Sequence, residues 1–176
     1  MRIRAFFGAA AACATLALTL TACGGHSASP AAPSKPCTVD QITVTANFGA
    51  APTVTLPKNC TTPTALLSKD IVTGTGTAVS SGDTISADYQ LTTWSNDQMV
   101  QQSFGSDPFS APIGVGRVIP GWDKGLIGQK PGGRRLLVIP PSLGYGSTAQ
   151  EGIKANETLV FVIDVHSVTA GAPTGN

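Results

Sequence analysis

Charge is scarce in this chain of 176 residues: Asp, Glu, Lys and Arg together make up 12% of it. Eleven basic residues nearly balance ten acidic ones, so nothing suggests nucleic acid or a polybasic membrane patch as a partner. Histidine is scarce as well. Only His26 and His166 occur, there is no C-x-x-C pair, and no metal or cofactor site is expected. There is no G-x-S-x-G turn, and neither histidine is placed to serve a serine or cysteine nucleophile, which argues against hydrolytic triad chemistry. What the chain has in quantity is turn residues, 20 glycines and 13 prolines, which suit a β-rich domain better than a helical bundle. Its length fits one ordinary domain with appendages.

The N-terminal apolar run is short and has the flanks of a leader: Arg2 and Arg4 precede it, and Leu20-Thr21-Ala22-Cys23 follows. This segment resembles a bacterial lipoprotein signal peptide, with an ordinary secretory leader as the alternative. The resemblance implies a signal peptide over residues 1–22, lipid on Cys23, and an exported protein held on the extracytoplasmic side of the cell membrane by that lipid alone. Removing Arg2 and Arg4 takes the eleven basic residues to nine, against ten acidic. Residues 23–36 then read as a flexible Ser/Ala/Pro tether.

Of the four cysteines, Cys13 leaves with the leader and Cys23 is the lipidation candidate. Cys37 and Cys60 remain, and in an exported chain an even pair favours a disulfide over free thiols, worth about 3 kcal/mol by the chain-entropy argument. Between them, residues 41–46 and 52–56 read as two short strands around Asn47-Phe48-Gly49. Residues 37–64 are thus expected to be a disulfide-tied hairpin, a packing element first and a partner surface second.

From residue 65 the pattern is that of a domain: strands over 65–72 and 84–93, with turns at 74–76 and 80–83. In the second strand Ile85, Ala87, Tyr89 and Leu91 alternate onto one face. Residues 158–168 place Leu159, Phe161, Ile163 and Val165 on one face, with partial burial expected for Val160 and Val162 on the other. Residues 169–176 are expected to be a disordered tail.

The most informative stretch runs from Val118 to Gly146. Pro120-Gly121 opens a short helix and Gly128 closes it, while Ile119, Trp122 and Leu126 share one face. Residues 134–139 form a strand that Pro140-Pro141 ends, and Tyr145 lies on a loop between two glycines. A tryptophan on a helix is ordinarily core. Together, however, these residues describe an apolar cavity with one polar handle and no nucleophile.

Val118-Ile119-Pro120-Gly121-Trp122, Gly125-Leu126, Val138-Ile139-Pro140, Gly144-Tyr145-Gly146 and Thr158-Leu159-Val160-Phe161, in that order and spacing, resemble the FKBP-type peptidyl-prolyl cis-trans isomerases over roughly residues 65–168. The resemblance implies an α+β fold, a twisted antiparallel β half-barrel wrapped around one short helix, to which the N-terminal hairpin is extra. It also implies isomerisation of X-Pro bonds. Trp122 would floor the pocket; Tyr89, Phe109, Val118 and Phe161 would wall it; the Ile119 N–H and the Tyr145 hydroxyl would hold substrate carbonyls; Ile153 would overhang it. The implied partners are proline-containing polypeptides and macrolides of the kind the family binds, and a monomer is expected.

One departure stands out. Where the family usually has an aromatic and then Asp, this chain has Val100 and Gln101. A neutral amide that both donates and accepts replaces an acceptor-only carboxylate, so weakened turnover with retained prolyl binding is expected. The rival is a catalytically silent module that holds proline-containing segments, favoured by Gln101 and by the extra hairpin. A dinucleotide reading of Gly144-Tyr145-Gly146-Ser147-Thr148-Ala149, with Asp164 as the ribose acid, fails because no long helix follows and only one strand remains for a βαβ unit.

Overall fold

The structure is a computed structural model and describes residues 35–171. The expected leader, Cys23, the tether before Lys35 and the tail beyond Gly171 lie outside the described residues. In chain order the strands are β1 (Thr43–Val44), β2 (Val54–Thr55), β3 (Leu67–Val72), β4 (Thr84–Thr93), β5 (Gln98–Gln102) and β6 (Phe109–Pro112). Helix α1 (Pro120–Gly125) follows, then β7 (Gly133–Ile139) and β8 (Leu159–Thr169).

Antiparallel pairing gives the main sheet the order β3-β7-β8-β4-β5, with β6 also on β4. The long strand β4 is the spine. One edge pairs with β8 from Thr84 opposite Thr169 to Thr93 opposite Leu159. The other edge is shared end to end: β6 faces residues 84–87 and β5 faces residues 90–93. At the break, Ser103 N–H donates to the Tyr89 carbonyl (3.0 Å) and the Tyr89 N–H donates to Ser103 Oγ (3.1 Å), so Tyr89 is held where the two edge strands part.

On the concave face Ile85, Leu91, Leu137, Ile139, Leu159 and Ile163 are fully buried beneath Trp122 and Leu126 of the helical segment. Each such side chain contributes about 1.5–3 kcal/mol relative to exposure. Six residues make too short a helix to persist alone, so packing must hold α1 in place. Its two glycines make the approach possible: a Cβ on Gly121 would sit 2.4 Å from the Ile139 side chain, and one on Gly125 would sit 2.8 Å from Leu137. The penalty for glycine inside a helix is offset by this contact.

The convex face carries a second core. Leu136, Val138, Val160 and Val162 are fully buried there against Ile42 and Leu56 of the N-terminal extension. Val160 and Val162 are therefore fully rather than partly buried. The extension is tied down by the Cys37–Cys60 disulfide (Cα–Cα 5.0 Å) and by an adjoining bond from Cys37 N–H to the Thr61 carbonyl at 2.8 Å. Its hairpin is shorter than the sequence suggests, because Gln41 belongs to a 3-10 turn at Val39–Gln41 and only two residues pair on each side. Other boundaries also shift: β3 begins at Leu67 rather than residue 65, α1 ends at Gly125 short of Gly128, β7 begins at Gly133 rather than residue 134, and Thr169 belongs to β8 rather than to a tail.

Candidate active site

A cavity of about 480 Å³ opens at one end of the concave face, lined by Tyr89, Gln101, Phe109, Gly116, Arg117, Val118, Ile119, Trp122, Tyr145 and Phe161. Trp122 forms its floor: only 4% of the residue is exposed, and its indole meets Phe161 at 5.3 Å, Tyr89 at 5.6 Å and Phe109 at 5.6 Å. All three contacts are near-perpendicular, the arrangement that aromatic quadrupoles favour, so the rings brace one another. Phe109, from β6, is 37% exposed and stands at the rim rather than in the core. The Trp122 Nε1–H is buried without a hydrogen-bond partner among the described residues.

Each polar group at the mouth is held from behind. Tyr145 sits in a tight loop in which both flanking glycines donate to the Pro141 carbonyl, Gly144 at 3.0 Å and Gly146 at 2.9 Å. Its side chain remains 37% exposed. Ile119 caps α1, and its carbonyl accepts from Trp122 and Asp123. Its own N–H makes no hydrogen bond to another described residue, which leaves a donor at the cavity wall. Burial raises the Tyr89 hydroxyl above its ordinary 10.0, and the neighbouring Tyr145 adds to the effect. Tyr89 thus stays a neutral phenol at any physiological pH. Gln101 projects from β5, opposite Leu91 in the pairing.

Two expected site residues fall elsewhere. Val100 and Ile153 line a neighbouring groove of about 540 Å³ with Gln98, Met99, Gln150, Glu151 and Gly152; this groove shares Gln101 and Tyr145 with the cavity. Ile153 does not overhang the cavity, because Gln150 and Ile153 exchange backbone bonds of 2.9 and 3.0 Å. That tight turn folds Ile153 inward until it is 7% exposed within the concave core.

Three contributors were not legible as site residues. Gly116 and Arg117 line the cavity, and Asp123 builds the loop that carries them. Its carboxylate accepts from Gly114 N–H and Gly116 N–H, both at 2.7 Å, and both glycines have positive φ. An acid in the first turn of a helix reads naturally as a dipole partner, which hides this second role. The one available signal was position, since Gly116-Arg117 directly precedes Val118-Ile119.

An open antiparallel sheet curled on one short helix, with an aromatic-floored cavity and hydrogen-bond donors at its mouth, defines an α+β half-barrel with an apolar site at one end of its concave face. Residues 75–166 match the family described as FKBP-type peptidyl-prolyl cis-trans isomerase. An FK506-binding protein of Streptomyces anulatus is 39% identical over 109 residues, covering 60% of this chain and 88% of the relative. FK506-binding protein 4 of Chaetomium thermophilum is 48% identical over 90 residues, covering 51% of this chain but only 18% of that much longer relative. Among solved structures, FkpA from Escherichia coli superposes with a TM-score of 0.55, with 37% identity, covering 62% of this chain and 50% of its own. The chain belongs to the FKBP-type peptidyl-prolyl cis-trans isomerase family.

Proposed function

We propose that this chain catalyses cis-trans exchange at X-Pro bonds of exported or envelope proteins. The observation that carries the reading is the Trp122-floored cavity with the Ile119 N–H and Tyr145 at its mouth. Amide resonance opposes rotation by about 18–20 kcal/mol, and only X-Pro bonds populate cis appreciably. The planar ground state is the more charge-separated form. Seating the prolyl ring on the indole strips water from the carbonyl of the residue before it, which disfavours the planar form relative to the twisted one. The Ile119 N–H and Tyr145 hydroxyl then hold the flanking carbonyls while the bond turns. No proton transfer is needed. Each 1.36 kcal/mol gained this way speeds exchange about tenfold.

Gln101 tempers the reaction, since a neutral amide supplies less field at the twisting bond than a carboxylate would. Macrolides of the kind the family binds are expected to compete for the same cavity, quenching or shifting Trp122 fluorescence once Trp94 is replaced. The test is NMR exchange on an unfolded X-Pro peptide: catalysis broadens the cis and trans peaks. Shifted peaks without faster exchange would instead support the second reading, a silent binder of proline-containing segments. Gln101 favours that reading, but the hairpin no longer does, because it packs on the sheet face opposite the cavity.

The same proposal places the protein outside the cytoplasm, anchored through lipid on Cys23 and acting as a monomer. The Cys37–Cys60 disulfide supports an oxidising compartment. Fatty-acid labelling of the expressed protein, lost in Cys23→Ser, tests the anchor; unlabelled wild-type protein would remove it.

A further inference from the structure

The cavity is electrostatically one-sided. Arg117 is the single charged residue among those that line it, and it makes no ion pair among the described residues. Both oxygens of Asp123, the acid nearest to it in sequence, are taken up by the Gly114 and Gly116 amides. Those two bonds fix the backbone just before Arg117, and the following residues, Val118 and Ile119, form cavity wall. The guanidinium is therefore presented at the mouth from a braced loop. Gln101 is neutral where the family usually has an acid, so no carboxylate inside the cavity offsets the guanidinium. The adjoining groove has the opposite sign. Its single charged residue is Glu151, and it meets the cavity at Gln101 and Tyr145.

We propose that Arg117 and Glu151 make the site read charge on both flanks of the proline, selecting polypeptide segments with an acidic residue on one side and a basic residue on the other. The inference rests on the isomerase reading above. A chain with its proline over Trp122 and one flank in the groove passes from a positive to a negative end of the site. Arg is suited to the first role because its planar fork engages a carboxylate through two donors. Exposed charge pairs are modest, so each flank contributes a preference of about two- to fivefold rather than an absolute requirement.

The test uses three proline peptides of equal length: one flanked by Gln on both sides, one with Glu before and Lys after the proline, and one with that order reversed. NMR exchange rates are measured with the full chain at low salt. The two charged peptides are expected to differ by about fourfold or more, with the gap narrowing at high salt as the charges are screened. Arg117→Gln should narrow it as well, and Arg117→Glu combined with Glu151→Lys should reverse the order. Equal rates for the two charged peptides, or a preference that survives the charge swap, would overturn the inference while acceleration of the Gln-flanked peptide leaves the isomerase reading standing. Failure to accelerate any of the three would remove that reading too.

Discussion

The Arg134 guanidinium and the Asp164 carboxylate meet between β7 and β8 in two hydrogen bonds of 2.6 and 2.8 Å, and neither side chain reaches solvent. The pair also grips the N-terminal extension. Arg134 donates to the carbonyls of Ala46 (2.8 Å) and Ala50 (2.7 Å), and Gly49 N–H donates to Asp164 Oδ2 at 2.6 Å. Removing one partner strands a buried charge. Asp164→Ala is accordingly expected to cost about 3–5 kcal/mol in urea unfolding and to speed amide exchange over residues 46–50. A loss below about 1 kcal/mol would show that the pair is not the fastening it resembles.

The disulfide restrains the same extension from its other end. It joins residues 23 positions apart, so Cys37→Ser with Cys60→Ser should lower stability by about 3 kcal/mol through the freed unfolded chain. Because the extension packs on the convex face, X-Pro exchange measured where the variant remains folded should not change. An unchanged melting temperature would mean that Leu56, Ile42 and the ion pair hold the extension without the staple.

Much of the concave side could be read from residue order alone. The alternation in β4 gives its extent, 84–93, and its buried face, and the Val118–Gly146 stretch marks the helix, the following strand and the tyrosine loop. The convex side was harder to read for a physical reason. Every residue of β7 is buried, so Arg134 and Arg135 sit in a strand whose pattern suggests solvent on one side. The partners that let Arg134 be there are distant in sequence: the Asp164 carboxylate on β8 and the Ala46 and Ala50 carbonyls of the extension. Asp164 is likewise committed to Arg134, which completes the case against a ribose-binding role. Ile153 misled because an inward turn and an outward overhang require the same kind of side chain; the Gln150–Ile153 backbone exchange decides between them.

Stability should fall toward both ends of the pH scale for identifiable reasons. Asp83 accepts from Ser80 N–H at 2.8 Å and Gly171 N–H at 3.0 Å, and these bonds hold its carboxyl below the ordinary 3.8. A lowered folded pKa means stability present above pH 3.8 and lost as the pH falls through the folded value. Tyr89 has the opposite sign: its raised folded pKa gives stability present below pH 10.0 and lost as the pH climbs through the folded value. Urea midpoints against pH should therefore flatten on the acid side in Asp83→Asn and on the alkaline side in Tyr89→Phe. A slope unchanged in either variant would remove that residue as its cause.

Asp123 should behave as a positioning residue. Asp123→Ala leaves the Gly114 and Gly116 N–H groups without their acceptor and loosens the loop that carries Arg117 and Val118. The expected result is a fall of about tenfold in kcat/KM for an X-Pro peptide, carried mostly by KM, with the domain still folded. Asp123→Asn, which keeps one acceptor oxygen, should recover part of the loss. If both variants lose stability in proportion to activity, the carboxylate is simply structural.

Gln101→Asp tests the origin of any catalytic weakness and the charge-reading proposal together. A carboxylate at this position restores an acceptor-only group beside the twisting bond, so exchange of a Gln-flanked peptide should rise about three- to tenfold. The same carboxylate shares the cavity with Arg117 and offsets its field, so the difference between the two charged peptides should shrink. These effects have separate causes and separate readouts. Faster exchange with an unaltered charge preference would place the reading of charge outside the cavity, and slower exchange would show that the neutral amide is not what limits turnover. In that case the next residue to test is Val100, which lines the adjoining groove with Ile153 and offers a smaller wall than an aromatic would.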